Sequence, residues 1–194
     1  MSLNFTKVND IKKYLKENLT EKRYNHTMGV LEVAKHLANL YGEDVDKAEL
    51  AALYHDMCRN LEREKANDYI RELGLDKELI DNPNLAHGKL AAEMIQIIFN
   101  ESDNDIINAV RFHTTGRANM SKLEKIIYVA DSIEVGRDYL GVEELRTLAN
   151  RDLNKSCYIS IINSINFIKE KNESLHKDTL YAKAFLEKEM KNGK

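Results

Sequence analysis

Helical spacing of apolar residues continues through nearly the whole chain, and few residues interrupt it. The 194 residues include one proline, Pro83, and eight glycines, and these are the residue types that most often break a helix. No segment shows the strict apolar and polar alternation of a half-buried strand. The sequence therefore predicts an all-α fold.

The apolar periodicity divides the chain into eight predicted helices. They cover residues 23–40, 46–56, 62–73, 84–99, 103–113, 121–135 and 152–172, and the last begins after Thr179. Gly42 follows the first of them and suits the left-handed turn that ends a helix. Ser121 and Glu124 can satisfy each other's exposed backbone amides, and Thr179 is the predicted N-cap of the last helix.

Composition and length predict one globular domain. Hydrophobic residues make up 43% of the chain and charged residues 31%, which is typical of a globular protein rather than a disordered one. A chain of this length fits a single domain with a substantial core. We predict one domain over residues 1–194, with its core at about 20–140 and the C-terminal helices of 152–192 packed on that core.

The sequence favours a cytoplasmic protein without membrane attachment. The longest apolar runs, such as Ile126–Ala130, are far shorter than a bilayer span, and residues 1–10 lack the apolar stretch of a signal peptide. Cys58 and Cys157 lie far apart and outside any CxxC pattern. We therefore expect neither a disulfide framework nor a zinc ribbon.

The charge of the chain limits its partners. A net charge of −3 argues against sequence-independent binding to nucleic acid, because such binding needs a broad basic surface. A small anionic ligand needs only a few local cations and stays compatible with this charge. The expected partner is therefore a small molecule, and neither nucleic acid nor a membrane is expected.

Several histidines and aspartates stand where apolar residues belong. Three apolar residues follow His26 at intervals of four, three and four, so His26 lies on the buried stripe of its helix. The pair His55-Asp56 directly follows an apolar run of five residues, and so does Asp131. An unpaired carboxylate in a core is costly or takes up a proton, whereas a divalent cation binds carboxylates and neutral imidazoles. These four side chains are therefore predicted to bind a metal.

Three other residues near this set are open to more than one interpretation. His87 begins an amphipathic helix and His113 ends another. A single inward histidine is more often a hydrogen-bonded core residue than a ligand, so spacing alone does not decide their role. Cys58 is interpreted as a small core residue rather than a thiol nucleophile, because no buried histidine outside the metal set remains to act as its base.

The order of the predicted ligands is recognisable. His26, then His55-Asp56, then Asp131, on successive helices, resembles the HD superfamily of metal-dependent phosphohydrolases. The pair alone is a weak signal, because histidine followed by aspartate is common. The ordered set, with the further stretches of sequence described next, is much more specific.

Those stretches point to one branch of the superfamily. His87 in LAHG and His113 in HTTGR resemble the subset with extra histidines near the metal. The segments HTTGRANMSKLEKIIYVADSIEVGR and LHKDTL are similar to the YqeK-type bacterial hydrolases, which split diadenosine tetraphosphate symmetrically. The resemblance spans about residues 23–185. Arg59 stands where the family often has lysine, and Val135 and Lys177 where it tends to have proline, which leaves the ligands unaffected.

The resemblance implies a single HD-domain helical bundle that holds a divalent metal. The implied ligands are His26, His55, Asp56 and Asp131. His87 and His113 would either complete a second metal site, with Asp56 as the bridge, or contact the phosphates directly. Imidazole and carboxylate ligands suit iron, which the resemblance favours, and they also suit manganese or cobalt.

Cations near these ligands are candidates for holding a phosphate. Arg23 lies one helical turn before the first histidine ligand, and Arg137 lies six residues after Asp131. Arg59 and Lys89 could equally be solvent-exposed charges. The predicted substrate-binding residues are Arg23, His26, His87, His113, Thr114, Arg137, His176 and Thr179. The predicted catalytic residues are Asp56, His87 and His113.

The activity implied by the resemblance is hydrolysis of diadenosine tetraphosphate to two ADP, with attack at an inner phosphorus. The segment 174–179 would close over the nucleoside. Two alternatives stay open, namely an HD phosphohydrolase for another nucleotide, such as a nucleoside monophosphate, and a nucleotide-binding regulator without turnover. A homodimer is also compatible with the sequence.

Overall fold

The computed structural model describes residues 4–192. These residues form ten α-helices and one 3₁₀ turn, joined by loops. The helices are α1 (Asn4–Asn18), α2 (Glu21–Tyr41), α3 (Val45–Tyr54), α4 (Arg63–Glu72), α5 (Pro83–Phe99), α6 (Asn104–Phe112), α7 (Lys122–Ile133), α8 (Val142–Ala149), α9 (Leu153–Glu170) and α10 (Lys177–Asn192), with the 3₁₀ turn Lys77–Leu79 before α5. Those residues contain no β-strand, so the all-α prediction is confirmed.

Two of these helices were not predicted, and both carry a weak apolar signal. The first, α1, has Ile11 and Leu15 as its fully buried residues, and lysines occupy much of the rest of its surface. The second, α8, is only eight residues long, begins after Gly141 at φ 88°, and buries Val142 and Leu145. A stripe this short or narrow gives too few repeats for the period of 3.6 residues to stand out.

The ends of the predicted helices are partly as expected. Gly42 ends α2 in the left-handed conformation, and Ser121 forms the expected capping box with Glu124. The prediction that Thr179 caps the last helix is wrong, because α10 already begins at Lys177. The side chain of His176 caps the N-terminus of α10, because its Nδ1 accepts a hydrogen bond from the peptide N–H of Asp178 at 3.2 Å.

Helix α7 lies at the centre of the bundle. It packs against α2, α3, α6, α8 and α9, and every residue from Leu123 to Ala130 is buried. A helix with no solvated face must pair any charge it carries. Glu124 accordingly accepts from the guanidinium of Arg117 at 2.6 Å, and Lys125 donates to Glu189 of α10 at 2.9 Å.

The C-terminal helices extend this packing. Helix α9 lies against α7, and α10 lies against α9. The single domain over residues 1–194 stays a prediction, because residues 1–3 and 193–194 lie outside the described part of the chain. Among the described helices, none has the length and apolar character to cross a membrane.

Candidate functional site

Four side chains from three parts of the fold meet where α2, α3 and α7 pack together. Nε2 of His26 lies 3.1 Å from Oδ1 of Asp131 and 3.5 Å from Oδ2 of Asp56. Nε2 of His55, at the end of α3, lies 3.5 Å from the same Oδ2 of Asp56 and 3.4 Å from Nε2 of His26. The four predicted metal ligands therefore form one cluster.

The second carboxylate oxygen of Asp56 faces two further histidines. Nε2 of His87, near the start of α5, lies 3.2 Å from Oδ1 of Asp56, and Nε2 of His113, just after α6, lies 3.9 Å from it. The two Nε2 atoms lie 3.0 Å apart. Asp56 thus lies between two triads, one with His26 and His55 and one with His87 and His113, and the atoms of each triad lie close enough to share an ion.

Backbone carbonyl groups fix the tautomer of three of these imidazoles. Nδ1 faces a carbonyl oxygen of the preceding turn in each: His55 that of Ala52 at 2.6 Å, His87 that of Pro83 at 3.0 Å, and His113 that of Val110 at 2.7 Å. A carbonyl oxygen can only accept, so Nδ1 carries a hydrogen in each ring, and in the neutral ring Nε2 carries the lone pair. Two lone pairs facing each other at 3.0 Å repel, and a cation between them removes that repulsion. The donor set therefore fits a divalent metal.

Glu134 supports His26 from behind and was not predicted. Its Oε1 accepts from Nδ1 of His26 at 3.1 Å, and its Oε2 accepts the peptide N–H of Gly136 at 2.6 Å. The carboxylate is buried and occupies space that only a glycine at position 29 leaves free, because a Cβ added to Gly29 would lie 2.5 Å from Oε2. One signal was available in the sequence: Glu134 lies three residues after Asp131, which places both carboxylates on neighbouring positions of one helix face.

Both predicted phosphate-binding arginines contact carboxylates of the cluster. Nη1 of Arg23 donates to Oδ2 of Asp56 at 2.7 Å, and Arg137 donates from Nη2 to Oδ1 of Asp131 at 2.5 Å and from Nε to its backbone oxygen at 2.7 Å. Each guanidinium keeps further N–H groups and lines the same cavity. Arg23 and Arg137 are therefore placed to join a carboxylate of the cluster to an anionic ligand.

The electrostatics of the cluster keep its aspartates ionised and one of its histidines neutral. Burial alone would raise the pKa of Asp131, but its contacts with His26 and with the charge of Arg137 hold it well below its usual range. Burial would likewise raise the pKa of Asp56, and the surrounding imidazoles lower it instead. Burial, with the neighbouring imidazoles of His87 and His55, lowers the pKa of His113 to about 3. Ionised carboxylates and neutral imidazole are the forms that bind a metal.

The remaining predicted residues lie around the same cavity. The hydroxyl of Thr114 lies 3.3 Å from Nε2 of His87 and 3.2 Å from Nε2 of His113. His176 lines the cavity and bonds through Nε2 to Glu78 at 2.6 Å, and Thr179 is a buried lining residue. All eight predicted substrate-binding residues therefore lie in the cluster or in the wall of one cavity.

Two other cations and one thiol lie near the site, and the structure shows the contacts of each. Arg59 lines the cavity and donates to the amide oxygen of Asn84 at 2.8 Å. Lys89 donates to Asp178 at 3.0 Å, so it joins α5 to α10. Cys58 is buried, and burial raises the pKa of its thiol to about 12. A thiol in that state does not act as a nucleophile near neutral pH, which agrees with its interpretation as a core residue.

The cavity has a volume of about 680 Å³ and two different ends. Charged and ligand-type side chains, among them Arg23, Asp56 and Arg137, line one end. Residues of α9, uncharged apart from Lys171, line the other, together with the segment that leads to α10, which adds Glu173. Cavities of this size suit small-molecule ligands, and this one suits a ligand with an anionic part and a neutral part.

Comparisons with known proteins agree with this geometry. The model of the HD domain family matches residues 23–136. The symmetrical bis(5'-nucleosyl)-tetraphosphatase of Halalkalibacterium halodurans is 45% identical over 86% of this chain and 89% of its own, and that of Bacillus subtilis is 42% identical over 85% and 89%. The crystal structure of a predicted HD superfamily hydrolase involved in NAD metabolism from Clostridium acetobutylicum matches with a TM-score of 0.88 at 44% identity, covering 93% of this chain and 97% of that one.

Proposed function

Since this chain belongs to the HD-domain family of symmetrical bis(5'-nucleosyl)-tetraphosphatases, we propose that it hydrolyses diadenosine tetraphosphate to two molecules of ADP. The observation that carries the proposal is the double triad around Asp56 at the charged end of a cavity that also offers a neutral end. A dinucleoside polyphosphate has both parts, because anionic phosphates connect two uncharged nucleosides.

The proposed metal ligands are the residues of the cluster. His26, His55, Asp56 and Asp131 would hold one divalent ion, and Asp56 with His87 and His113 would hold a second. We propose iron as the metal, and the same donors also suit manganese or cobalt. A divalent ion bound there supplies Lewis-acid polarisation of a phosphoryl oxygen and lowers the pKa of a bound water.

The protein groups around the cluster would position the phosphates. Arg23 and Arg137 each hold a carboxylate of the cluster and turn further N–H groups to the cavity, so they can place an inner phosphate beside the ligand atoms. Thr114 can donate a hydrogen bond to a phosphate oxygen from beside His87 and His113. We propose Asp56, His87 and His113 as catalytic residues, because they surround one point from three separate helix ends.

The reaction balances with one water molecule. Its oxygen forms a bond to an inner phosphorus, the bond between that phosphorus and the oxygen bridging the two inner phosphates breaks, and the two ADP molecules share the water's protons with the solvent. The products of symmetrical cleavage are therefore identical. Asymmetrical cleavage would give ATP and AMP instead.

A product assay tests the proposal. Purified protein with added iron or manganese is incubated with diadenosine tetraphosphate and with a panel of nucleoside mono-, di- and triphosphates, and the products are separated by chromatography. We expect ADP as the sole product from the dinucleotide and much slower turnover of the panel. ATP with AMP would contradict symmetrical cleavage, and faster turnover of a nucleoside monophosphate would contradict the proposed substrate. Binding without turnover at any metal concentration would favour a regulator.

A further inference from the structure

The inner face of α9 forms the neutral end of the cavity. The residues that line it are Ser160, Asn163, Ser164, Phe167, Ile168 and Lys171. Their spacing of three, one, three, one and three residues places them on one face of the helix. The deep part of this face carries hydroxyl groups, and the outer part carries the ring of Phe167 and the aliphatic chain of Ile168. Such a wall suits a flat, uncharged ring system with polar atoms at its edge.

Ser160 differs from the other serines of α9. Ser156 donates to the carbonyl oxygen of Leu153 at 3.0 Å, and Ser164 donates to that of Ser160 at 3.1 Å. These local bonds are the usual way in which a helical serine satisfies its hydroxyl. The hydroxyl of Ser160 has no hydrogen-bond partner among the residues that the structure describes, although the side chain is 2% exposed and lines the cavity.

An unpaired buried hydroxyl is unfavourable, because it loses hydrogen bonds to water without replacing them. Of the two buried side-chain polar atoms without a partner in residues 7–191, whose side chains the structure describes, one is on Tyr54 and the other is Oγ of Ser160. Only the second belongs to a residue of the cavity wall. Its position at the deep end of a ligand-sized cavity indicates that a ligand supplies the missing partner.

The metal cluster and Ser160 are connected through one short loop. Thr114 contacts His87 and His113, and the next residue, Thr115, lines the cavity. At Gly116 an added Cβ would lie 3.5 Å from Cδ1 of Ile161, the neighbour of Ser160 on α9. Asp56, His87 and Asp131 line the same cavity as Ser160, so a ligand whose phosphates lie at the cluster can reach the face of α9 with the nucleoside attached to them.

We propose that Ser160 is a specificity-determining residue whose hydroxyl makes a hydrogen bond to the edge of a nucleobase in a subsite on the inner face of α9. The inference rests on the proposed function and adds a residue to it. A base fits this end better than phosphate does, because the side chains at the deep part of the face are uncharged. A hydroxyl both donates and accepts, so it can serve a ring nitrogen or an exocyclic group.

The test compares Ser160→Ala with Ser156→Ala in metal-loaded protein, by calorimetric titration of ADP and of inorganic pyrophosphate. Alanine removes the hydroxyl and favours the helix, and no internal hydrogen bond is lost at position 160, so we expect no fall in Tm. We expect the affinity for ADP to fall about 2- to 10-fold in Ser160→Ala. The affinity for pyrophosphate, which has no base, should be unchanged, and Ser156→Ala should bind both like the wild type.

Other results would overturn the inference without touching the proposed function. Equal ADP affinity in Ser160→Ala and the wild type, in a protein that still hydrolyses the dinucleotide, would remove Ser160 from the subsite. An equal loss for pyrophosphate would place the hydroxyl at the phosphates, and an equal loss for ribose 5-phosphate would place it at the sugar. A wild-type protein that neither binds ADP nor cleaves the dinucleotide would contradict the proposed function itself.

Discussion

Oε1 of Glu134 lies 3.1 Å from Nδ1 of His26, so a buried carboxylate orients the imidazole whose other nitrogen faces Asp131 and Asp56. A carboxylate behind a histidine ligand fixes the ring and raises the basicity of the nitrogen that binds the metal. The pair connects α2 to the end of α7. It makes the geometry of the cluster depend on a residue that is not itself one of the predicted ligands.

We expect Glu134→Gln to weaken metal binding while the protein stays folded. Glutamine keeps the size and one acceptor oxygen but loses the charge, and the loss of such a supporting group typically costs about 10- to 100-fold in metal affinity or activity. Competition between the protein and a coloured chelator for manganese measures the change. Glu143→Gln is the matched control, because Glu143 is an exposed acid that pairs with Arg146. Equal affinities in the two variants would contradict a supporting role.

We expect Gly88→Ala to disturb the second triad. An added Cβ would lie 2.9 Å from Cε1 of His113 and 3.2 Å from the backbone oxygen of Val110, and overpacking of this kind costs about 1–3 kcal/mol. Activity should fall strongly, because the ring must move away from Asp56. In the double variant Gly88→Ala with His113→Ala the clash with the imidazole is relieved and only the contact with the oxygen of Val110 remains, so the alanine at 88 should then cost less stability. If the losses in free energy of unfolding of the two single variants simply add up in the double variant, as measured by chemical denaturation, this explanation is wrong.

Removal of metal should lower the melting temperature of the protein. The cluster brings lone pairs and carboxylates together, so an ion that binds the folded state stabilises it by mass action, by about 2.7 kcal/mol when free metal is about 100 times the dissociation constant. For a chain of this size that corresponds to roughly 5–10 °C. Scanning calorimetry with chelator, and again after addition of manganese, measures the shift.

Asp131→Ala provides the control for that measurement. It removes one ligand of the cluster, so the variant should fold but show little dependence of Tm on metal and almost no turnover. Wild-type rates in Asp131→Ala, or full activity of the wild type after exhaustive chelation, would show that the metal site is assigned wrongly.

Arg137→Ala should reduce kcat/KM about 10- to 150-fold, because a charge-assisted contact is worth about 1.5–3 kcal/mol. Lysine at this position should restore only part of the rate, since it keeps the charge and loses the planar geometry. Arg137 also bonds to Asp131, so metal content must be measured on the same samples. Unchanged kinetics would leave Arg23 as the better candidate for the phosphate contact.

The two thiols should be inert in the folded protein. Burial raises the pKa of both Cys58 and Cys157 to about 12, so at pH 8 only about one thiol in ten thousand is ionised, and the thiolate is the reactive form. We expect an aromatic disulfide reagent to label neither cysteine until denaturant is added, and activity to survive the treatment. Rapid labelling of Cys58 with loss of activity would reopen a role for its thiol.

The cluster of histidines and aspartates could be predicted from the sequence because these side chains interrupt apolar runs. His55, Asp56 and Asp131 each follow residues that can only be core, so the pattern alone indicates that they lie inside the fold. Glu134 gave a weaker signal, because it lies near the end of the predicted helix, just before Gly136, and acids near helix ends are usually solvated. Ser160 gave none, since an unpaired hydroxyl is a property of three-dimensional surroundings.

The hydrogen-bond partners of the arginines could not be predicted from the sequence, for a related reason. The spacing placed Arg137 near Asp131 but could not say that its Nε would bond the backbone oxygen of that residue. Helix α8 was missed because its apolar stripe is only eight residues long. Contacts between residues distant in the chain, such as His176 with Glu78, depend on packing that local periodicity does not encode.

The ammonium of Lys125 has a consequence for the integrity of the chain. It is buried on the central helix and takes its counter-charge from Glu189, near the end of α10, with the amide oxygen of Asn154 as its other partner. A protease that trimmed the chain just before Glu189 would leave this buried ammonium without its anion, which lowers the free energy of unfolding, although by less than in a fully buried pair because the Glu189 side chain is 36% exposed. The last turns of α10 therefore help to hold the central helix, and their loss should lower the stability of the whole protein.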